Sequence, residues 1–287
     1  MKIKEITAKS IIVKSKLPDT DYVVNPYTRC EFGCIYCYAS FMGRFVNERI
    51  ANWGNYVFVK TNAVELFDKE LDALSDKKAT ILLSSVTDAY QGAEAKYNIT
   101  RRILEILAKK GYKVTVSILT KSAMVTRDID ILKQIPNIEV GMTITTTDDE
   151  LSRLLETRAT TTSMRINTLK ELNKAGIHTY VFIGPLLPHF RYKPELLDKL
   201  FASLVGADVN QVYIEHINLS PYIRKRLFDS LSGHPELQEV YKEGSTEDHR
   251  EALDKIVKEL LHKYGLKLRL NDVIYHHKKA KKDVIGK

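Results

Sequence analysis

All three cysteines of the chain fall between residues 30 and 37, in the run Arg29-Cys30-Glu31-Phe32-Gly33-Cys34-Ile35-Tyr36-Cys37-Tyr38. Thiols gathered this tightly act as a set: they pair, hold a metal ion, or hold a cluster. Pairing is disfavoured, because an odd count in a chain of 287 residues is not the even, spread-out framework of a small secreted domain. A closed zinc site needs a fourth ligand, and the nearest histidine in sequence is His178, so zinc would depend on a distant donor. The spacing C-x3-C-x2-C instead suits a [4Fe-4S] cubane, in which Cys30, Cys34 and Cys37 each take one iron and the fourth iron stays open to another ligand.

A scaffold must hold such a loop. Apolar, β-branched runs occur at 81–85, 114–119, 138–143, 178–183 and 212–217, with amphipathic stretches between them. Ile99, Ile103, Ile106 and Leu107 form one helical stripe; Ile166, Leu169 and Leu172 form another, ending at Gly176. Strands alternating with helices predict an α/β fold on a parallel sheet, and near-continuous hydrophobicity within the strands predicts that both faces are buried. Residues 1–24 read as an N-terminal extension with a short strand or hairpin. Residues 220–287 read as a helical C-terminal extension, clearest at 247–264, that ends in a basic tail.

The cysteine run, with Tyr36 in the aromatic position of C-x3-C-x-aromatic-C, resembles the radical S-adenosylmethionine (SAM) superfamily. The resemblance implies a partial TIM-type (β/α)6 barrel over residues 25–219. It also implies a [4Fe-4S] cluster whose open iron SAM chelates, an external electron donor of the flavodoxin or ferredoxin type, and a 5'-deoxyadenosyl radical that takes hydrogen from a substrate. Further segments look like the spore photoproduct lyase-like branch: Asn25-Pro26-Tyr27-Thr28, Cys37-Tyr38-Ala39, Thr87-Asp88-Ala89-Tyr90-Gln91-Gly92-Ala93-Glu94, Leu119-Thr120-Lys121-Ser122 leading to Arg127-Asp128, Glu156-Thr157-Arg158-Ala159, Arg165, and Ala175-Gly176-Ile177. Photoproduct lyases reverse a thymine dimer lesion in DNA and use a cysteine as hydrogen donor. In this chain Ser85 stands at the position aligned with that cysteine, and no cysteine remains outside the trio. Gly92 and Thr157 stand where the branch usually has proline.

In parallel α/β architectures ligands gather beyond the carboxyl ends of the strands, so the polar residues after each apolar run are the expected cofactor contacts. Ser85, Thr87 and Asp88 follow the first run. Lys121 follows the second, where an ammonium could pair with the SAM carboxylate. Thr143 and Thr145 follow the third, and Gly184 lies in a Gly-Pro turn whose bare backbone could bond an adenine edge. Arg165 and Tyr36 complete the expected cofactor set. Each has a plainer reading: the hydroxyls and acids cap helices, Lys121 is a solvated loop lysine, Arg165 is a helix-surface arginine and the Gly-Pro is turn punctuation. With no thiol to return hydrogen, three routes stay open: the product radical recovers hydrogen from 5'-deoxyadenosine, a tyrosine near the pocket such as Tyr90 or Tyr97 donates it, or the radical is oxidised or adds to a second group.

Lys and Arg number 44 against 36 Asp and Glu, a formal charge of +8. With no window near the ~20 apolar residues of a membrane span and no apolar stretch of a secretory signal, the expected location is cytoplasmic. The tail His276-His277-Lys278-Lys279-Ala280-Lys281-Lys282 is a solvated terminus or an electrostatic handle for a polyanion. The resemblance and the basic balance together favour nucleic acid or a nucleotide as substrate, with a peptide or small metabolite as the alternative. A reading of another class is a nucleic-acid-binding module with a structural metal.

Overall fold

A computed structural model describes residues 1–46 and 48–275. Its strands are β1 (Lys2–Ile6), β2 (Ile12–Lys14), β3 (Tyr22–Val24), β4 (Tyr27–Thr28), β5 (Tyr56–Lys60), β6 (Thr80–Leu83), β7 (Thr115–Thr120), β8 (Ile138–Thr143), β9 (His178–Leu186), β10 (Gln211–His216) and β11 (Lys267–Leu268). Its α-helices are α1 (Ala63–Ala73), α2 (Glu94–Tyr97), α3 (Ile99–Lys110), α4 (Ile129–Leu132), α5 (Asp149–Leu155), α6 (Thr162–Lys174), α7 (Pro194–Val205), α8 (Pro221–Ser230), α9 (Pro235–Glu243) and α10 (Glu247–Tyr264).

The main sheet has the order β11-β10-β9-β8-β7-β6-β3-β2. Strands β3, β6, β7, β8, β9, β10 and β11 run parallel, and β2 pairs antiparallel with β3. Strand order follows chain order from β3 to β10 with helices between, the arrangement of a partial (β/α)6 barrel. The five apolar runs correspond to β6 through β10. The first run is shorter than its sequence suggests, because Ser84 adopts a φ of 76° and ends β6 at Leu83.

The residues read as an N-terminal extension divide between two sheets. β1 joins a small sheet of order β1-β5-β4, whereas β3 aligns Tyr22, Val23 and Val24 in parallel with Ile81, Leu82 and Leu83 of β6 in the main sheet. Its three residues are too few to show a period. At the other end α8, α9 and α10 follow β10, and β11 then pairs with β10. α10 is capped at its start by Thr246, whose side chain accepts from His249 N, and at its end by Gly265 with φ +65°. The basic tail 276–287 lies outside the described residues. No helix among the described residues is long and apolar enough to cross a membrane.

The helical stripes hold with one instructive change. On α3 the buried residues are Ile99, Thr100, Ile103, Leu104 and Leu107; on α6 they are Thr162, Arg165, Thr168, Leu169 and Leu172. An arginine therefore lies on the sheet-facing side of α6.

Candidate active site

From β4 the chain turns at Arg29, whose φ is 76° and whose side chain is fully buried. Its guanidinium lies 3.8 Å from the Tyr56 ring centroid and 5.4 Å from that of Trp53. Its carbonyl accepts from Thr87 Oγ1 and from Gln91 Nε2 at 3.2 Å. Gln91 Oε1 accepts from Glu31 N at 2.9 Å, and the Glu31 carboxylate accepts from Ala93 N at 3.1 Å. The segment after β6 thus grips the cysteine loop on one side. On the other, Arg158 donates to the carbonyls of Gly54 and Glu31, and Ile35 N donates to Leu155 O. Gly33 and Gly54 meet backbone to backbone: a Cβ on Gly54 would fall 2.7 Å from Gly33 Cα.

The three thiols are free; Cys30 and Cys34 are buried and Cys37 half-buried. Burial pushes all three upward, Cys34 to about 12, and Cys30 also feels Asp88 and the other two cysteines. Across from them stands Lys121, just past β7. Its Nζ lies 5.8 Å from the Tyr36 ring centroid and makes no ion pair among the described residues. Burial disfavours this ammonium, but Cys34 and Glu156 outweigh burial and hold it above the ordinary lysine value.

Behind Lys121 is a buried network. Tyr36 OH donates to Glu156 Oε1, Arg165 Nη2 pairs with Glu156 Oε2, and Ser152 Oγ donates to the same oxygen at 3.3 Å. Arg165 also donates to Thr160 O at 2.7 Å and to Thr143 O at 2.9 Å. Burial opposes charge on Glu156, yet Arg165 and Lys121 keep its carboxyl below the usual range.

Several expected contacts are committed elsewhere. Arg165, read as a SAM contact, is fully buried and ties Glu156 to the end of β8. Asp88 accepts from Thr120 Oγ1, Tyr90 N and Lys121 N at 2.7, 2.9 and 2.9 Å, so it joins the ends of β6 and β7 instead of facing a ligand. Thr87 donates to the Arg29 carbonyl. Neither tyrosine expected as hydrogen donor stands at the thiols. Tyr90 is fully buried with its phenol toward Asp128 and Glu94, and Tyr97 donates to Glu5 of β1 on an exposed face. Glu94 accepts from Thr100 N and Arg101 N, in the first turn of α3.

Other expected residues stay at the strand ends. Ser85 Oγ accepts from Asn25 Nδ2 at 3.2 Å, and its carbonyl accepts from Tyr38 OH. Thr143 closes β8, and the Thr145 hydroxyl is buried without a hydrogen-bond partner among the described residues. Gly184 lies buried in β9 beside the Phe182 ring, where a Cβ would fall 1.7 Å from Cε1.

A model of the radical SAM superfamily matches residues 24–226, from the last residue of β3 into α8. The chain belongs to the radical SAM superfamily. It is 36% identical over 222 residues to an uncharacterised protein of Methanocaldococcus jannaschii, across 76% of this chain and 79% of that one. It is 30% identical over 281 residues to an uncharacterised protein of Mycobacterium tuberculosis, across 91% and 82%. Its fold matches that of spore photoproduct lyase complexed with a dinucleoside spore photoproduct at a TM-score of 0.71. That match covers 93% of this chain and 81% of the other at 14% identity.

As a radical SAM protein, the chain works with a [4Fe-4S] cluster and SAM. The residues present fit both groups. Three free thiols stand on one loop, and a cubane asks each thiolate for a different iron. Lys121, with no ion pair among the described residues, has the charge that a SAM carboxylate would need. Three further residues at the site went unassigned in the sequence. Glu156 lies within a branch-like segment that suggested no role for it. Tyr38 places its phenol on Ser85. Arg226 of α8 donates to Gly33 O at 2.7 Å. Both arginines carried a helical signal: Arg165 is four before Leu169 and seven before Leu172, and Arg226 is three after buried Ile223.

Proposed function

We propose that this radical SAM enzyme abstracts hydrogen from a nucleotide unit of a nucleic acid, with Cys30, Cys34 and Cys37 holding the cluster and Lys121 pairing with the SAM carboxylate. The observation that carries the reading is the set of three free thiols with the unpaired Lys121 ammonium across from them. When bound, the cluster and SAM supply the 5'-deoxyadenosyl radical. Tyr36, anchored on Glu156, gives Lys121 a fixed ring to lie over. The Thr145 hydroxyl and the backbone at Gly184 offer polar contacts at the ends of β8 and β9. An external one-electron donor of the flavodoxin or ferredoxin type completes the requirement.

The nucleic-acid assignment draws on the shared fold with an enzyme whose complex holds a dinucleoside photoproduct, and on the formal charge of +8. Photoproduct reversal itself is not proposed, because Ser85 has an O–H bond too strong to give hydrogen to a carbon radical. Of the two phenols at the thiol loop, that of Tyr36 is committed to Glu156, and that of Tyr38, next to Cys37, donates to the Ser85 carbonyl, so Tyr38 is the tyrosine this reading favours over Tyr90 and Tyr97 as hydrogen donor.

Lys121→Met is expected to weaken SAM binding by about 1–3 kcal/mol, the worth of a charge-assisted hydrogen bond, while iron content stays at wild type. Titration of SAM into the reconstituted variant measures this, and an unchanged Kd removes Lys121 from the site. The substrate class is tested with oligonucleotides deuterated at the sugar and the thymine methyl. Deuterium appearing in 5'-deoxyadenosine supports the reading. Its absence there, with transfer from peptides or small metabolites instead, overturns it.

A further inference from the structure

The cysteine loop receives a cation from a part of the chain far away in sequence. Arg226, on α8, reaches back to the loop and donates Nη2 to the carbonyl of Gly33, the residue just before Cys34. That bond fixes the plane of the guanidinium. The other terminal nitrogen, Nη1, is buried and has no acceptor among the described residues. A buried guanidinium N–H without an acceptor costs stability unless something not made of protein accepts it. The guanidinium also lies near enough to Cys37 and Cys34 to interact with both electrostatically.

Helix α8 is itself held against this region. Tyr222 OH donates to Tyr38 O at 3.1 Å, and Ile223 and Leu227 are buried. The arginine is therefore carried on a fixed element, and its charge cannot swing away to solvent.

We propose that Arg226 is a positioning residue for the cluster, donating through Nη1 to sulfur on its Cys34–Cys37 side and raising its reduction potential. This rests on the reading that the three cysteines hold the cluster. Hydrogen bonds and positive charge at cluster sulfur favour the reduced form, which carries one more negative charge. Reduction by the external donor adds one electron and breaks no bond, so the effect of Arg226 lies in the equilibrium of that step. The segment after β10 thereby sets how readily the site accepts its electron.

The test is a redox titration of the full chain, anaerobically reconstituted and followed by the electron paramagnetic resonance of the reduced cluster. Wild type, Arg226→Gln and Arg226→Lys are compared. Arg226→Gln is expected to be harder to reduce by tenfold or more in equilibrium constant, about 59 mV for one electron, with altered g-values at unchanged iron content. Arg226→Lys keeps the charge and loses the second nitrogen, and is expected to shift the same way by less. A Gln variant with wild-type irons, potential and g-values overturns the proposal. Should the Gln variant lose its irons, an unshifted Lys variant overturns it equally. A wild-type chain that takes up no [4Fe-4S] cluster would instead defeat the cluster reading, and this proposal with it.

Discussion

Replacing any one of Cys30, Cys34 and Cys37 by Ala is expected to lower reductive SAM cleavage by more than about 100-fold, because one iron then loses its protein ligand. The three thiols belong to one loop, pinned by Gln91 and Thr87 on one side and Arg158 on the other, so no neighbour can shift in to replace a lost sulfur. No cysteine exists outside the trio to do so. The measurement is iron content together with 5'-deoxyadenosine yield after anaerobic reconstitution. A single variant that keeps both at wild-type levels would show that its thiol is not a ligand.

The second large effect is on stability. Arg165→Met removes the partner of a fully buried carboxylate, and breaking such a pair from one side costs about 3–5 kcal/mol. Glu156 and Arg165 are both fully buried, and Arg165 also satisfies the carbonyls of Thr143 and Thr160. Denaturant unfolding should report a loss of that size for Arg165→Met. The double variant with Glu156→Gln should lose less than the sum of the single variants, because it leaves no unpaired charge. The pH dependence follows in sign. The folded pKa of Glu156 lies below its ordinary 4.5, so its contribution is full above that value and is lost as pH falls through the folded pKa. Additive losses in the double variant would mean that the two side chains act independently.

These two sites differ in how legible they were. The cysteine loop could be read because its chemistry is local: three thiols and an aromatic side chain within one short run. The strands β6 to β10 were legible because each is a long apolar run, whereas β3 is only Tyr22–Val24 and owes its place to pairing with β6. Strand-end logic picked out Ser85, Lys121 and Thr145, which lie just past the ends of β6, β7 and β8. It could not tell Lys121, with its ammonium unpaired, from Asp88, whose carboxylate accepts from two backbone amides and a threonine hydroxyl, because that difference is made by partners brought in from other strands. The surroundings of the Tyr90 and Tyr97 phenols were hidden for a similar reason. Sequence distance from the cysteines says nothing about which way a phenol points, and these two face the Asp128–Glu94 cluster and β1. Arg165 and Arg226 were readable in part, since an arginine on the apolar side of a helix must be buried and must find acceptors. What those acceptors are, Glu156 for one and Gly33 for the other, depends on tertiary contacts that no periodicity encodes.

The measurement that bears most directly on the account is the fate of SAM. Wild-type protein, reconstituted anaerobically with iron and sulfide and reduced with dithionite, is expected to convert SAM to methionine and 5'-deoxyadenosine. SAM left intact beside a fully loaded, reduced cluster would contradict the account, as would a colourless protein holding one zinc per chain.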